Sequence, residues 1–444
     1  MQVEQMIPRD LGALSTQQKQ LGLGMLADNG TFSPLSVSLT PWKLNAGHWQ
    51  RAQWHAKVLN KVLCAMAADR DWLLNQFSEL SKGSSLPGKL ARLLSATDPD
   101  AIKAIGMPLI RHDMMLDKDG QWRWVESNSI AAGMGPLNQQ WVSLLKQQLP
   151  LMALLPNPAI NQQAEALYKA AKQFQQVRPV VLFVVEEQED NLFDQLLLAD
   201  GIRALGAIVG RISLKSLILL ISNQGDRLLW QDREVDLLYF RTGYNDADYS
   251  DPDLLSLRAR LERLNLVLCP NIALQLAGSK WIQQVVYQQL FNAHHQAALA
   301  QQLGLDLNEQ KQLLSLQVPA LSVSAIGIEQ AQTLIKDGWW LKTQQEGGGS
   351  VAIGDKALQK LHTESFQNEG WIVMAPIPPS QRQDLEVSIN GHCRHWPQAV
   401  SELGIFMVGE QHQFGGYLLR SKPVGQIEGG VHRGGAVLDS LLVT

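Results

Sequence analysis

Glu346 stands directly before three glycines, Gly347, Gly348 and Gly349, in the stretch LKTQQEGGGSVAIG. Glycines after a strand free several backbone N–H groups to point one way, a concave nest suited to phosphate oxygens. Lys342, earlier in the same stretch, can neutralise a phosphate, and the glutamate can hold a magnesium ion that bridges phosphates. The run taken alone is equally a flexible turn. It is neither a Walker loop nor a G-x-G-x-x-G fingerprint.

Three other clusters carry comparable chemistry. Glu126 and Asn128, in RWVESNSIAAGMG, lie two apart at a strand end, so both side chains point to one face. A carboxylate and an amide oxygen together suit Mg²⁺; the bland reading is a polar strand end. Asn191 and Gln195 in EDNLFDQ, with Arg241 and Tyr244 in YFRTGY, offer amide, guanidinium and phenol groups for a zwitterionic, carboxylate-bearing substrate, or else form ordinary surface loops. Arg420 and Lys422 share a strand face ahead of a glycine-rich segment, Gly429 to Gly435, that reads as a lid over phosphate or carboxylate, or as a surface loop. The histidines lack metal-ligand spacing, and no Ser-His-Asp or Cys-His order is legible.

These groups need elements to hold them. Residues 46–80 carry helical spacing, with Trp49, Trp54, Val58, Leu59, Val62 and Leu63 on one broad face. Residues 107–126 read as a hairpin turning at DKDG, and 137–176 as two amphipathic helices broken by PNP. From 178 the apolar run RPVVLFVVEE begins a strand–helix–strand alternation expected of a buried parallel sheet. Residues 281–335 read as mostly helical, and the chain from 336 onward as an antiparallel sheet with helices.

The chain has 444 residues, 45% hydrophobic and 18% charged, with a formal net charge of −4. That length suggests about three domains. The charge balance gives no reason to expect nucleic acid or an anionic membrane as partner. The N-terminus lacks a secretory pattern, and the aliphatic runs fall short of the roughly 20 residues that cross a bilayer. Cys64, Cys269 and Cys393 form no disulfide or zinc pattern, which points to a reducing, cytoplasmic setting.

Taken in order, Arg111-x-Asp113, Glu126-x-Asn128, NLFDQ at 191–195, YFRTGY at 239–244, QLAGSK at 275–280, KTQQEGGG at 342–349, SELGIF at 401–406 and LLRSK at 418–422 resemble the eukaryotic-type glutathione synthetases, from about residue 30 to 442. The resemblance implies an ATP-grasp fold of α/β (α+β) type, with a helical N-terminal region and first body part at 1–177, an inserted parallel α/β substrate-binding domain at 178–278, and a C-terminal part at 279–444. It implies a homodimer, ATP and two magnesium ions, and ligation of γ-glutamylcysteine to glycine through an acylphosphate. By position it makes Glu126, Asn128 and Glu346 the metal ligands. ATP contacts fall on Lys280, Lys342, Gly347, Gly348, Gly349, Met374, Ala375, Ile377, Glu402, Lys422 and Glu428. Substrate contacts fall on Arg111, Ala131, Gly133, Glu189, Asn191, Gln195, Arg241, Tyr244, Arg420, Val431 and His432, with Arg111, Arg420 and Lys342 catalytic. Arg420 is expected to meet the acceptor's carboxylate.

The chain also departs from that pattern. Ala131 and Gly133 stand where the family usually has serines, Thr242 where it has aspartate, and Val431-His432 where it has small residues. Ala375, Pro376 and Val351 are further departures. The phosphate and metal set is complete while the substrate pocket is altered, so a related ATP-grasp carboxylate–amine ligase with another acceptor or donor is the alternative.

Overall fold

The computed structural model describes residues 11–27, 29–174, 177–220, 227–346, 349–427, 429–431 and 434–444. The chain is a mixed α/β protein built on three larger sheets.

The hairpin expected near residue 110 is present as strands Leu109–Leu116 and Trp122–Asn128. Asp117 builds its turn: one carboxylate oxygen accepts from the Asp119 and Gln121 amides at 3.0 and 2.8 Å, the other from Arg123 Nε at 2.8 Å. The hairpin ends a seven-stranded sheet whose next strands are His392–Val408 and Gln413–Pro423.

The pairing shifts within the hairpin. Met114 faces Trp124, but Asp113 faces Glu126, so Val125 is an extra residue, a β-bulge. Strict alternation would put Trp122, Trp124, Glu126 and Asn128 on one face. The bulge separates them: both tryptophans are buried in the core with Met114 and Leu116, while Glu126 and Asn128 join Arg111 and Asp113 on the opposite face.

Helix Ala46–Ala68 contributes to that core, capped by Asn45 Oδ1 accepting from the Gly47 amide at 2.8 Å. Trp49, Val58, Leu59, Val62 and Leu63 are buried as expected, whereas Trp54 is 39% exposed. Five residues on from Trp49, it is turned about 140° around the helix.

Strands Ile105–Gly106, Val267–Cys269, Leu237–Phe240, Val180–Val185 and Ile208–Ser213 form, in that order, an all-parallel sheet. Val180–Val185 is buried along its whole length, which explains its unbroken apolar sequence. The edge strand Ile105–Gly106 comes from well before residue 178, so this sheet is not confined to residues 178–278. The third sheet is antiparallel: Ala320–Ser322, Ile372–Met374, Trp340–Lys342 and Val351–Ala352. Helices Ile328–Lys336 and Gly354–Thr363 pack on it around Leu341, Val373 and Trp371. Among the described residues no helix is long and apolar enough to cross a membrane.

Candidate active site

A cavity of about 1410 Å³ opens where the seven-stranded sheet, the antiparallel sheet and the carboxyl ends of the parallel strands meet. The last of these is where ligands settle in open α/β sheets.

Its floor is a row of charges on the seven-stranded sheet. Arg111 and Asp113, two apart on one strand, form a forked pair: Nε to Oδ1 at 2.7 Å and Nη2 to Oδ2 at 2.8 Å. Arg111 Nη1 also donates to the Gly133 carbonyl at 3.1 Å. Arg420 lies directly opposite Glu402 on the neighbouring strand. Its Nε and Nη2 both contact Glu402 Oε1, and Nη2 reaches Asp113 Oδ2 at 3.2 Å. Asn128 donates to Asp113 Oδ2 at 3.0 Å. Burial raises the Asp113 carboxyl above its ordinary value, and the two guanidinium groups oppose that rise.

One wall carries the lysines. Lys280, at the first position of helix Lys280–Leu290, is 3% exposed, contacts Glu346 Oε1 at 2.6 Å and donates to the Gln345 carbonyl at 2.9 Å. Gln344 locks this loop, accepting from the Trp281 amide at 3.1 Å and donating to the Gly370 carbonyl at 2.6 Å. Burial lowers the Lys342 ammonium, against the pull of Glu126. Burial works to raise Glu126, yet Lys280 and Lys342, with Arg420 and Arg111, bring it down to about 2. Glu346 is shifted upward by burial against Lys280, and the nearby Glu126 charge adds to that rise. Among the described residues no group of three or more His, Cys, Asp or Glu is arranged as a metal site.

The opposite end is formed by loops after the parallel strands. Asp194, 3% exposed, accepts from the Met134 and Leu137 amides at 2.9 and 3.3 Å and lies 3.7 Å from Arg241 Nη2. It thereby fixes the loop before helix Gly135–Gln148, in which Ala131 and Met134 take φ of 52° and 73°. Gly133 sits between two arginines. Its carbonyl meets Arg111, and a Cβ there would come 2.5 Å from Arg241 Nη2. Tyr244 donates to Glu186 Oε1 at 3.1 Å. Asn191 Oδ1, Arg241 Nε and Gln275 Oε1 are buried with no hydrogen-bond partner among the described residues. Such orphaned groups are costly unless a ligand or water satisfies them.

The cavity therefore brings together Glu126, Asn128, Glu346, Lys280, Lys342, Met374, Ala375, Ile377, Glu402, Arg420 and Lys422 with Arg111, Ala131, Gly133, Glu189, Asn191, Arg241, Tyr244 and Val431. Gln195 is not among its lining residues; it stands behind Glu189, to which it donates, and accepts from Arg211 Nη2 at 2.8 Å. Gly349 is exposed and does not line the cavity, with φ of 75°. Gly347, Gly348, Glu428 and His432 lie outside the described residues. The Ala375 amide already donates to the Pro319 carbonyl at 2.8 Å and Pro376 has none, so Ile377 carries the next amide along this edge. Asp113 and Asp194 were inside the quoted motifs but not among the expected site residues. An acid two positions from an arginine on a strand is the signal that points to Asp113.

A family model for the ATP-binding domain of eukaryotic glutathione synthase matches residues 14–443. The chain belongs to the eukaryotic glutathione synthase family. It is an ATP-dependent ligase. The chloroplastic glutathione synthetase of Solanum lycopersicum is 30% identical over 438 residues, covering 91% of this chain and 77% of its own. Glutathione synthetase of Xenopus laevis is 26% identical over 436 residues, covering 93% and 90%. A glutathione synthetase-like effector from Globodera pallida, in its apo form, superposes with a TM-score of 0.71 over 98% of both chains. At 16% identity, that likeness bears on the fold alone.

Proposed function

We propose that this glutathione synthase-family chain joins γ-glutamylcysteine to glycine, using ATP and passing through an acylphosphate. The observation that carries the reading is the meeting, in one cavity, of two lysines and an oxygen-donor set with two arginines on the adjoining floor.

Glu126, Asn128 and Glu346 offer two carboxylates and an amide oxygen, hard donors that fit Mg²⁺, and Glu126 is held ionised by its cationic neighbours. Bound there, the ion supplies charge neutralisation at phosphate oxygens. Lys280 and Lys342 neutralise the transferring phosphoryl group; Lys280 exchanges its present contact with Glu346 for a phosphate oxygen. Arg111, Arg241, Asn191 and Tyr244 orient the dipeptide so that its cysteinyl carboxylate oxygen attacks the γ-phosphorus. ADP leaves and the carboxylate becomes an acylphosphate. Arg420 holds the glycine carboxylate, the neutral glycine amine attacks the acyl carbon, the acyl C–O bond breaks with its electron pair leaving on phosphate, and the amine's extra proton passes to solvent. Such chemistry needs positioning and charge neutralisation more than covalent help from the protein. The carbonyl of Ala375 and the amide of Ile377 are the backbone groups proposed to meet the adenine edge.

Purified chain mixed with ATP, γ-glutamylcysteine and glycine should yield ADP, phosphate and the tripeptide in equal amounts, read by coupled phosphate release and mass spectrometry. Absence of turnover with this trio overturns the reading. A different donor or acceptor is the second reading, and Gly133 favours it: Arg241 occupies the space a side chain there would need. Phosphate release with another amino acid in place of glycine, or another dipeptide in place of γ-glutamylcysteine, would select it.

A further inference from the structure

We propose that Asp113 positions both carboxylate-binding arginines, with Gly404 as the gap that admits it; this rests on the roles of Arg111 and Arg420 proposed above. Asp113 is 1% exposed, yet four side-chain donor contacts converge on it. Arg111 contributes two, one to each oxygen. Arg420 and Asn128 both reach Oδ2. Strand register explains the convergence. Asp113 faces Glu126 on one side and Gly404 on the other, while Arg111 faces Asn128.

The forked pair fixes the plane of the Arg111 guanidinium, and the Gly133 carbonyl fixes its remaining terminal nitrogen. Of five N–H bonds, these contacts take three. One N–H is left on each terminal nitrogen, the pairing a carboxylate accepts. On Arg420, Nε and Nη2 turn toward Glu402 and Asp113, and Nη1 is the end these contacts do not use. One carboxylate between two guanidinium groups also offsets their mutual repulsion, which burial would strengthen. By taking the Asn128 amide N–H, Asp113 leaves that residue its oxygen to present.

Gly404 is part of the same device. A Cβ on it would collide with Asp113 Oδ1 and come 2.8 Å from Arg111 Cδ. The glycine in SELGIF therefore clears the floor where the forked pair lies, beside the Phe406 ring, whose centroid is 6.0 Å from the Arg111 guanidinium carbon.

Steady-state kinetics on Asp113→Asn test this. KM should rise about 10- to 100-fold for donor and acceptor alike, the range for lost orienting contacts, with the KM for ATP moving less than about threefold. In an Arg420→Lys background the same substitution should add no more than about twofold to the acceptor KM, because both changes act on one contact; Arg111→Lys should behave likewise for the donor. Asp113→Glu, which keeps the charge, should recover part of both losses. A rise in neither KM, in only one, or a fall in kcat alone overturns the proposal, as do fully additive double variants. Should Asp113→Asn not fold, Gly404→Ala decides: it keeps the charge but displaces the carboxylate, and unchanged KM values for both substrates overturn the idea. Wild-type turnover with γ-glutamylcysteine and glycine is measured first. Its absence refutes the substrate reading alone, and the variants are then compared on whichever carboxylate donor and acceptor the wild-type chain joins.

Discussion

Glu402 and Arg420 face each other across adjacent strands, and Arg420 directs both Nε and Nη2 to the same oxygen of Glu402. The acceptor carboxylate proposed to meet Arg420 reaches Nη1, the end this pair leaves unused, and Glu402 holds the guanidinium in that orientation. Glu402→Gln should therefore raise the acceptor KM several-fold and the KM for ATP about tenfold, near the lower end of the roughly 1.5–3 kcal/mol of a charged hydrogen bond. Initial rates with each substrate varied in turn check both rises.

Arg420→Ala should raise the acceptor KM by about 30- to 1000-fold, equivalent to roughly 2–4 kcal/mol for a charged pair in a closed site. The KM for ATP should stay near its wild-type value. Equal losses for ATP and acceptor would remove Arg420 from its assigned place.

Metal removal gives a separate test. Activity should vanish in chelator and return with Mg²⁺. Glu126→Gln should raise the Mg²⁺ concentration for half-maximal rate at least about tenfold, since it removes one of the two carboxylates proposed to hold the ion. A titration of rate against free Mg²⁺ measures this.

Gly133→Ser should change binding more than folding. Its Cβ would crowd Arg241 Nη2, the far end of a flexible side chain, and the Asn191 and Asp194 side chains at 3.0 and 3.1 Å. The donor KM should rise about tenfold, while Tm stays within a few degrees, equivalent to about 1 kcal/mol. Thermal unfolding and donor titration read the two effects separately.

His112 predicts an acid limb of stability. It is fully buried, bonded to Ser127 Oγ at 2.7 Å and Asn60 Oδ1 at 3.3 Å. Burial, then the nearby His412, pull its pKa from 6.5 down to about 3. The unfolded chain thus takes up a proton near pH 6.5 that the folded chain refuses until pH 3. Its stabilising contribution is complete above pH 6.5 and falls as pH drops toward 3, by up to about 1.4 kcal/mol per unit. His112→Gln should flatten that slope in denaturant titrations at pH 7.5 and 5, whatever it does to stability at neutral pH.

The legible parts of this molecule were those set by local pattern. The Asp-Gly turn, the apolar run Val180–Val185 and the alternating strands after 336 all form as their residues suggest. The lining of the cavity was legible where a charged side chain stands on a strand or just after one, as with Lys342, Arg241 and Arg420. Asp113 and Asp194 were harder to see because their partners come from distant segments: Arg420 for one, the Met134 amide for the other. The edge strand Ile105–Gly106 was missed for a similar reason. Two residues carry no period, and only the neighbouring Val267–Cys269 makes them a strand.

The extra residue at Val125 has a consequence for chain length. With one residue between Trp124 and Glu126, only a bulge can keep the tryptophan in the core and the glutamate over the cavity. With none, or with two, ordinary alternation would do the same. A single-residue deletion at this point would therefore exchange an irregular ladder for a regular one and leave both oxygen donors facing the cavity, so that a relative aligning here with one residue fewer can present the same pair of groups to the same ligand.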